Sequence, residues 1–113
     1  MKIIVSGGGT GGHIYPALTL VSVLAKKERT AEFLYVGTQK GLEADIIPKE
    51  GILFETVDIE GLKRSFSPAN IVRLGRAMHG LAEAAAIVRR FRPDVVIGTG
   101  GYVCGPILMA ASL

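Results

Sequence analysis

Apolar and polar positions along this chain fall into blocks whose period switches between that of a strand and that of a helix. Ile3-Ile4-Val5 is a short apolar run that stops at a group of glycines, and from Ile14 to Ala25 apolar residues recur at helical spacing. A strand, a tight turn and a helix are predicted there. The form then repeats: Glu32 to Val36 reads as a strand, Leu42 to Glu50 as a short helix interrupted by Pro48, and Leu53 to Ile59 as a third strand. Gly61 to Pro68 reads as a loop. From Ala69 to Arg92, the residues Ile71, Leu74, Met78, Leu81 and Ala85 share one face while Arg73, Arg76 and Glu83 lie off it, as in a long amphipathic helix. Arg92-Pro93 ends that helix. Asp94-Val95-Val96-Ile97 has the unbroken apolar character of a strand buried on both faces, and a last helix follows.

Strands that alternate with helices, and are apolar throughout, predict the α/β class: a Rossmann-like open parallel sheet with helices on both faces and right-handed crossovers. There is an internal echo. Ile4-Val5 leads to Gly11-Gly12-His13-Ile14 and Pro16, and Val96-Ile97 leads to Gly100-Gly101-Tyr102-Val103 and Pro106, so two strand ends carry similar turns.

With 113 residues and 49% hydrophobic content, the chain suffices for one core and is short for a two-lobed enzyme. It stops inside the apolar Ala110-Ala111-Ser112-Leu113, with no helix-ending Gly or Pro, so a continuation is expected beyond an incomplete domain. The start lacks the ordered parts of a secretory signal, and export is not expected. The longest uncharged stretch, Val95 to Leu113, holds four glycines and a proline and reads as strand, turn and helix, not as a membrane span. A single cysteine, Cys104, fits a reducing compartment, and cytoplasm is the expected location. The net charge of +3 and pI near 9.2 favour phosphates or an anionic membrane surface without calling for nucleic acid.

Candidate chemistry sits in the two turns. Gly7-Gly8-Gly9-Thr10-Gly11-Gly12-His13 stands where amides at a helix amino-terminus surround an anion with no side chain in the way. Gly7, Gly9 and Gly12 also have dinucleotide-binding spacing, which raises an NAD(P)-dependent oxidoreductase as an alternative. That alternative expects an acid after the second strand, yet the strand ends Val36-Gly37-Thr38, and the nearest acid, Glu43, lies several residues on. A Walker loop fails because His13 stands where lysine is needed. The second turn, Gly98-Thr99-Gly100-Gly101-Tyr102-Val103-Cys104-Gly105-Pro106, follows another strand, on the edge where open α/β sheets bind ligands. Either turn alone is also explained by glycines that merely allow a tight bend. The pair favours a shared site.

Gly8-Gly9-Thr10-Gly11-Gly12-His13 with Pro16-Ala17-Leu18, then Gly37-Thr38 with Gly41-Leu42-Glu43-Ala44, then Pro93 through Val103 with Gly105-Pro106, resemble the MurG family of glycosyltransferases over nearly the whole chain. The resemblance implies the amino-terminal, acceptor-side lobe of a two-lobed GT-B enzyme, with the carboxyl-terminal nucleotide-sugar lobe missing from this chain. It implies inverting transfer of N-acetylglucosamine from UDP-N-acetylglucosamine to the muramyl C4 hydroxyl of undecaprenyl-pyrophosphoryl-MurNAc-pentapeptide, in peptidoglycan synthesis at the cytoplasmic face of the membrane. No cofactor or metal is implied, and the D-x-D pattern is absent, Asp58-Ile59-Glu60 being the nearest approach.

By the same resemblance, His13 is a candidate to take or relay the acceptor proton, Thr10, Gly11 and Gly12 are candidates to meet the donor, and Gly100, Gly101 and Tyr102 the acceptor diphosphate. Each has a plainer alternative: His13 as a turn-fixing histidine, Thr10 as a helix cap, Tyr102 as a ring packed over the sheet edge. Glu43 reads only as a charge that favours the start of its helix, and Cys104 as a small structural side chain. Lys63, Arg64, Phe66, Val72, Arg73 and Arg76 mix basic and apolar character as a surface for anionic lipid does, and equally as a solvated helix face does. A further alternative for the whole chain is a non-catalytic subunit that recruits the acceptor for a separate nucleotide-sugar lobe.

Overall fold

A computed structural model of the chain describes residues 1–8, 11–39, 41–57, 71–100 and 104–112; of these, the side-chain surroundings at 11, 13, 71–78 and 104–106 are not described. The elements run β1 (Lys2–Ser6), α1 (Gly11–Lys27), β2 (Glu32–Gly37), α2 (Glu43–Lys49), β3 (Leu53–Thr56), α3 (Ile71–Phe91), β4 (Val95–Gly98) and α4 (Cys104–Ser112). The four strands pair in parallel in the order β3-β2-β1-β4, with Ile4 opposite Leu34 on one side and Val96 on the other. The expected α/β class is what the structure contains. Beyond β3 the winding reverses, so that β4 lies on the far side of β1.

Alternation along the strands divides the core in two. Ile4, Leu34 and Val36 join Val57 against Ala84 and Ile87 of α3 and Ile107 and Ala110 of α4. Ile3, Val5 and Tyr35 face the other way, against Ile14, Ala17 and Val21 of α1 and Ile47 of α2. Helices therefore cover both faces, and β1, whose Ile3 to Ser6 are all buried, is the strand that both layers share.

Several boundaries differ from the periodic pattern. Helix α1 starts at Gly11, ahead of the first apolar residue, because glycines carry no hydrophobic signal even where their backbone is helical. It closes with Lys26 and Lys27, whose charges suit the negative end of the helix dipole. Strand β3 stops at Thr56, and the rest of the stretch expected to be extended lies partly outside the described residues, as do Ala69 and the 61–68 loop. In α3 the buried line runs through Gly80, Ala84 and Ile87, and Leu81 and Ala85 of the expected stripe are half-buried beside it. The helix ends as Arg92 turns into the left-handed region (φ 54), its N–H still bonded to the Val88 carbonyl at 2.9 Å, before Pro93.

The expectation that fails is burial of β4 on both faces. Val95 is exposed and Val96 and Ile97 are only partly covered, because β4 is an edge strand of the described sheet and has a neighbour, β1, on one side only. At the amino edge of the sheet, Asp94 ties β4 to β1: its N–H donates to the Lys2 carbonyl and its Oδ2 accepts from the Lys2 N–H, both at 2.7 Å.

Ile4 has no exposed surface and sits between β2 and β4 in the α3–α4 layer. Ile4→Ala is expected to lower the unfolding free energy by about 3 kcal/mol through lost burial and a residual cavity. Denaturant titration of the two proteins measures it, and an unchanged midpoint would contradict this account of the core.

Candidate functional site

All four strands are parallel, so their carboxyl ends lie along one edge, and the winding reverses between β1 and β4, the position where open α/β sheets bind their ligands. Both glycine turns reach it. The N–H of Gly8 donates to the carbonyl of Gly100 at 3.3 Å, and the N–H of Thr99 donates to the Ser6 carbonyl at 2.9 Å. Gly100 holds φ 125, a conformation that side-chain-bearing residues rarely adopt, and this turns its carbonyl toward the first turn.

The main chain at the end of β1 is held from β2 as well. The Ser6 hydroxyl, fully buried, donates to the Val36 carbonyl at 2.9 Å. The Tyr35 hydroxyl donates to the Gly7 carbonyl at 2.5 Å, its ring lying beside Phe54 with centroids 6.2 Å apart. The Gly7-Gly8 segment is thus fixed by hydrogen bonds before the chain enters α1.

Helix α1 then begins at Gly11. The N–H groups of its first turn have no partner within the helix, and no acidic side chain stands in that turn to use them. Pro16 has no N–H to give the Gly12 carbonyl, so that carbonyl loses its helical donor, and Gly12 is exposed. An amino-terminal helix end, where N–H groups lack intrahelical partners, is a place that suits an anionic ligand group.

The third component is one that spacing left without a role. Glu43, the first residue of α2, is fully buried, and its Oε1 accepts from the Thr38 N–H at 2.9 Å and from the Thr38 hydroxyl at 2.8 Å. It is not a surface charge at a helix end. With its carboxyl turned inward onto Thr38, it cannot serve as the ribose-binding acid that a dinucleotide site requires after β2. What marks it is the company it keeps in three dimensions, where Gly8, Gly37 and Gly41 all approach its side chain, and no sequence spacing shows this.

Of the candidate residues, Gly11 and Gly12 open α1, and Gly100 follows β4 and accepts from the Gly8 N–H. His13 lies in the first turn of α1, and Val72, Arg73 and Arg76 in the first half of α3, each with its side chain outside the description. Thr10, Gly101, Tyr102, Lys63, Arg64 and Phe66 lie outside the described residues.

Tyr35→Phe removes the donor to Gly7 and leaves ring packing intact. It is expected to cost about 1–2 kcal/mol, because a buried carbonyl loses its partner, with faster amide exchange at Gly7 and Gly8. Thermal unfolding and residue-resolved hydrogen exchange measure the two effects.

Residues 3–113 match the family model of the glycosyltransferase family 28 N-terminal domain. The chain is 57% identical over 112 residues to the UDP-N-acetylglucosamine--N-acetylmuramyl-(pentapeptide) pyrophosphoryl-undecaprenol N-acetylglucosamine transferase of Listeria monocytogenes serovar 1/2a, covering 99% of this chain and 31% of that protein. It is 54% identical, with the same coverage, to the transferase of the same description from Lactococcus lactis subsp. lactis. A crystal structure of MurG from Acinetobacter baumannii superposes with a TM-score of 0.81 at 25% identity, over 98% of this chain and 32% of that one. The chain therefore spans about a third of the length of these relatives.

Proposed function

Because the chain belongs to the glycosyltransferase family 28 N-terminal domain family, we propose that it is the acceptor-side lobe of an inverting transferase that moves N-acetylglucosamine from UDP-N-acetylglucosamine to undecaprenyl-pyrophosphoryl-MurNAc-pentapeptide. The observation that carries this reading is the Gly8–Gly100 hydrogen bond, which joins two glycine turns at the switch point of the sheet. The relatives' printed activity supports the choice of substrates. A second, carboxyl-terminal lobe supplies most of the donor site.

In this reaction the muramyl C4 oxygen forms a bond to the anomeric carbon, the bond from that carbon to the diphosphate oxygen breaks, and UDP leaves with the electron pair. The acceptor proton passes to a base. His13, in the first turn of α1, is the residue proposed to take or relay it, since an imidazole titrates near neutral pH. Thr10, Gly11 and Gly12 meet the donor as the lobes close, and Gly100, Gly101 and Tyr102 meet the acceptor diphosphate. The start of α1 at Gly11, a helix end whose positive dipole favours anions, supports the anionic part of this assignment.

With both lobes present, His13→Ala is expected to lower kcat by about 100-fold to 10,000-fold, the usual range for loss of a general base. The 113-residue chain by itself is expected to transfer no sugar. Both are read by following labelled N-acetylglucosamine into the lipid product, and ordinary turnover by the isolated chain would overturn the assignment of this lobe.

Among the described residues no helix is long and apolar enough to cross a membrane. Access to a lipid-linked acceptor at the cytoplasmic face is assigned to Lys63, Arg64, Phe66, Val72, Arg73 and Arg76, whose mixed basic and apolar character suits an anionic lipid surface. Sedimentation with vesicles that contain anionic lipid is expected to show binding that salt reverses, and Lys63→Ala with Arg64→Ala is expected to weaken it about 30-fold. Binding indifferent to salt and to lipid charge would refute this surface.

A further inference from the structure

Glu43 has no part in the reaction proposed above, yet it occupies the centre of the carboxyl edge. Its side chain is fully buried. Through Oε1 it holds both donors of Thr38, and the Thr38 hydroxyl in turn accepts from the Gly41 N–H at 3.1 Å. Three chain segments close around it: a Cβ at Gly8, Gly37 or Gly41 would stand less than 3.0 Å from atoms of the Glu43 side chain. None of these three glycines has a positive φ, so alanine would suit their backbones. What a Cβ there would meet is the Glu43 side chain, which would have to move aside.

A carboxyl group is rarely taken out of water, and an apolar side chain would fill the same volume without the desolvation cost. A group retained against that cost has to supply something that packing cannot. Here it supplies directional bonds to the β2–α2 turn from a side chain wedged against Gly8. Gly8 itself is bonded to Gly100 and follows Gly7, which Tyr35 holds. We propose that Glu43 is a positioning residue: it sets the separation between the β2–α2 turn and Gly8, and thereby the path by which the first glycine turn enters α1. This role rests on the proposed transfer reaction for its consequence, since the first turn of α1 is where the donor and the proton acceptor are assigned.

The test uses the complete transferase with both lobes. Glu43→Ala is expected to lower kcat per folded molecule about 100-fold, as a displacement near 1 Å in a reacting group does, with the acceptor KM changed little. Glu43→Gln keeps the length of the side chain and a carbonyl oxygen for both Thr38 donors, and is expected to restore kcat to within about tenfold of wild type. Gly41→Ala forces the Glu43 side chain aside and is expected to lower kcat in the native background. In the Glu43→Ala background the same change should add nothing, because the clash is gone. Folded Glu43→Ala protein that turns over at the wild-type rate would overturn the proposal, and so would a Gly41→Ala effect that simply multiplies with that of Glu43→Ala.

If Glu43→Ala does not fold, Glu43→Asp, which withdraws the carboxyl from Thr38 by one methylene, takes its place with the same expectations. Amide hydrogen exchange keeps this claim separate from the reaction it rests on. Should the wild-type enzyme transfer no N-acetylglucosamine, the reaction is wrong, while Gly8 and Gly41 amides that exchange faster in Glu43→Asp still support positioning. Unchanged exchange at both amides would overturn it whatever the reaction is.

Discussion

The end of β1 has to be held in place by its main chain, and most of the carboxyl edge depends on how that is done. β1 is paired on both sides and covered on both faces, so past Ser6 little but backbone reaches the edge. Backbone groups placed there must be bonded or pay the cost of lost hydration. Each finds a separate partner: the Ser6 carbonyl takes the Thr99 N–H, the Gly7 carbonyl takes the Tyr35 hydroxyl, and the Gly8 N–H reaches the Gly100 carbonyl. One partner comes from β2 and two from the turn after β4. The first glycine turn is therefore bonded to both neighbouring strand ends, which brings together two turns whose bonded residues, Gly8 and Gly100, are 92 apart in sequence.

The two faces of the sheet contribute differently to this arrangement. The α1–α2 layer reaches the carboxyl edge directly: Tyr35 is part of its core and sends its hydroxyl to Gly7, while Ile47 anchors the helix that carries Glu43. The α3–α4 layer packs Ile4, Leu34 and Val36 from the other side and fixes the height of the strands against one another. Removing apolar surface from either layer loosens the edge indirectly, through the register of β1 with β2 and β4. Removing Tyr35's hydroxyl or Glu43's carboxyl acts on the edge itself.

How much of this is legible in the sequence follows from what has a period. Ile3-Ile4-Val5 and Glu32 to Val36 announce buried parallel strands because residues on both faces are apolar, and the order of strands and helices follows from them. The start of α1 at Gly11 is illegible because glycine adds nothing to a hydrophobic pattern. The exposure of Val95 is illegible because an edge strand and a central one can share the same apolar run. Both glycine turns are visible as motifs, but their contact depends on strand order, which is a property of the whole sheet. Glu43 is hidden for a related reason: its relation to Gly8, Gly37 and Gly41 is a close approach between three segments, and no spacing rule encodes it.

That relation also explains why the dinucleotide spacing misleads. Gly7, Gly9 and Gly12 match the pattern, and the pattern assigns each glycine a duty toward a pyrophosphate. Gly8 stands outside it and is constrained from inside the protein, by a carboxyl that a dinucleotide fold would point outward at a ribose. Turned inward, the acid no longer reads the ligand and acts on the shape of the turn instead. A glycine-rich turn of this kind can answer to a buried acid on its protein side as well as to a ligand. Only ligand binding has a spacing signature, so a count of glycines cannot distinguish this turn from a nicotinamide site, whereas the direction in which Glu43 points does.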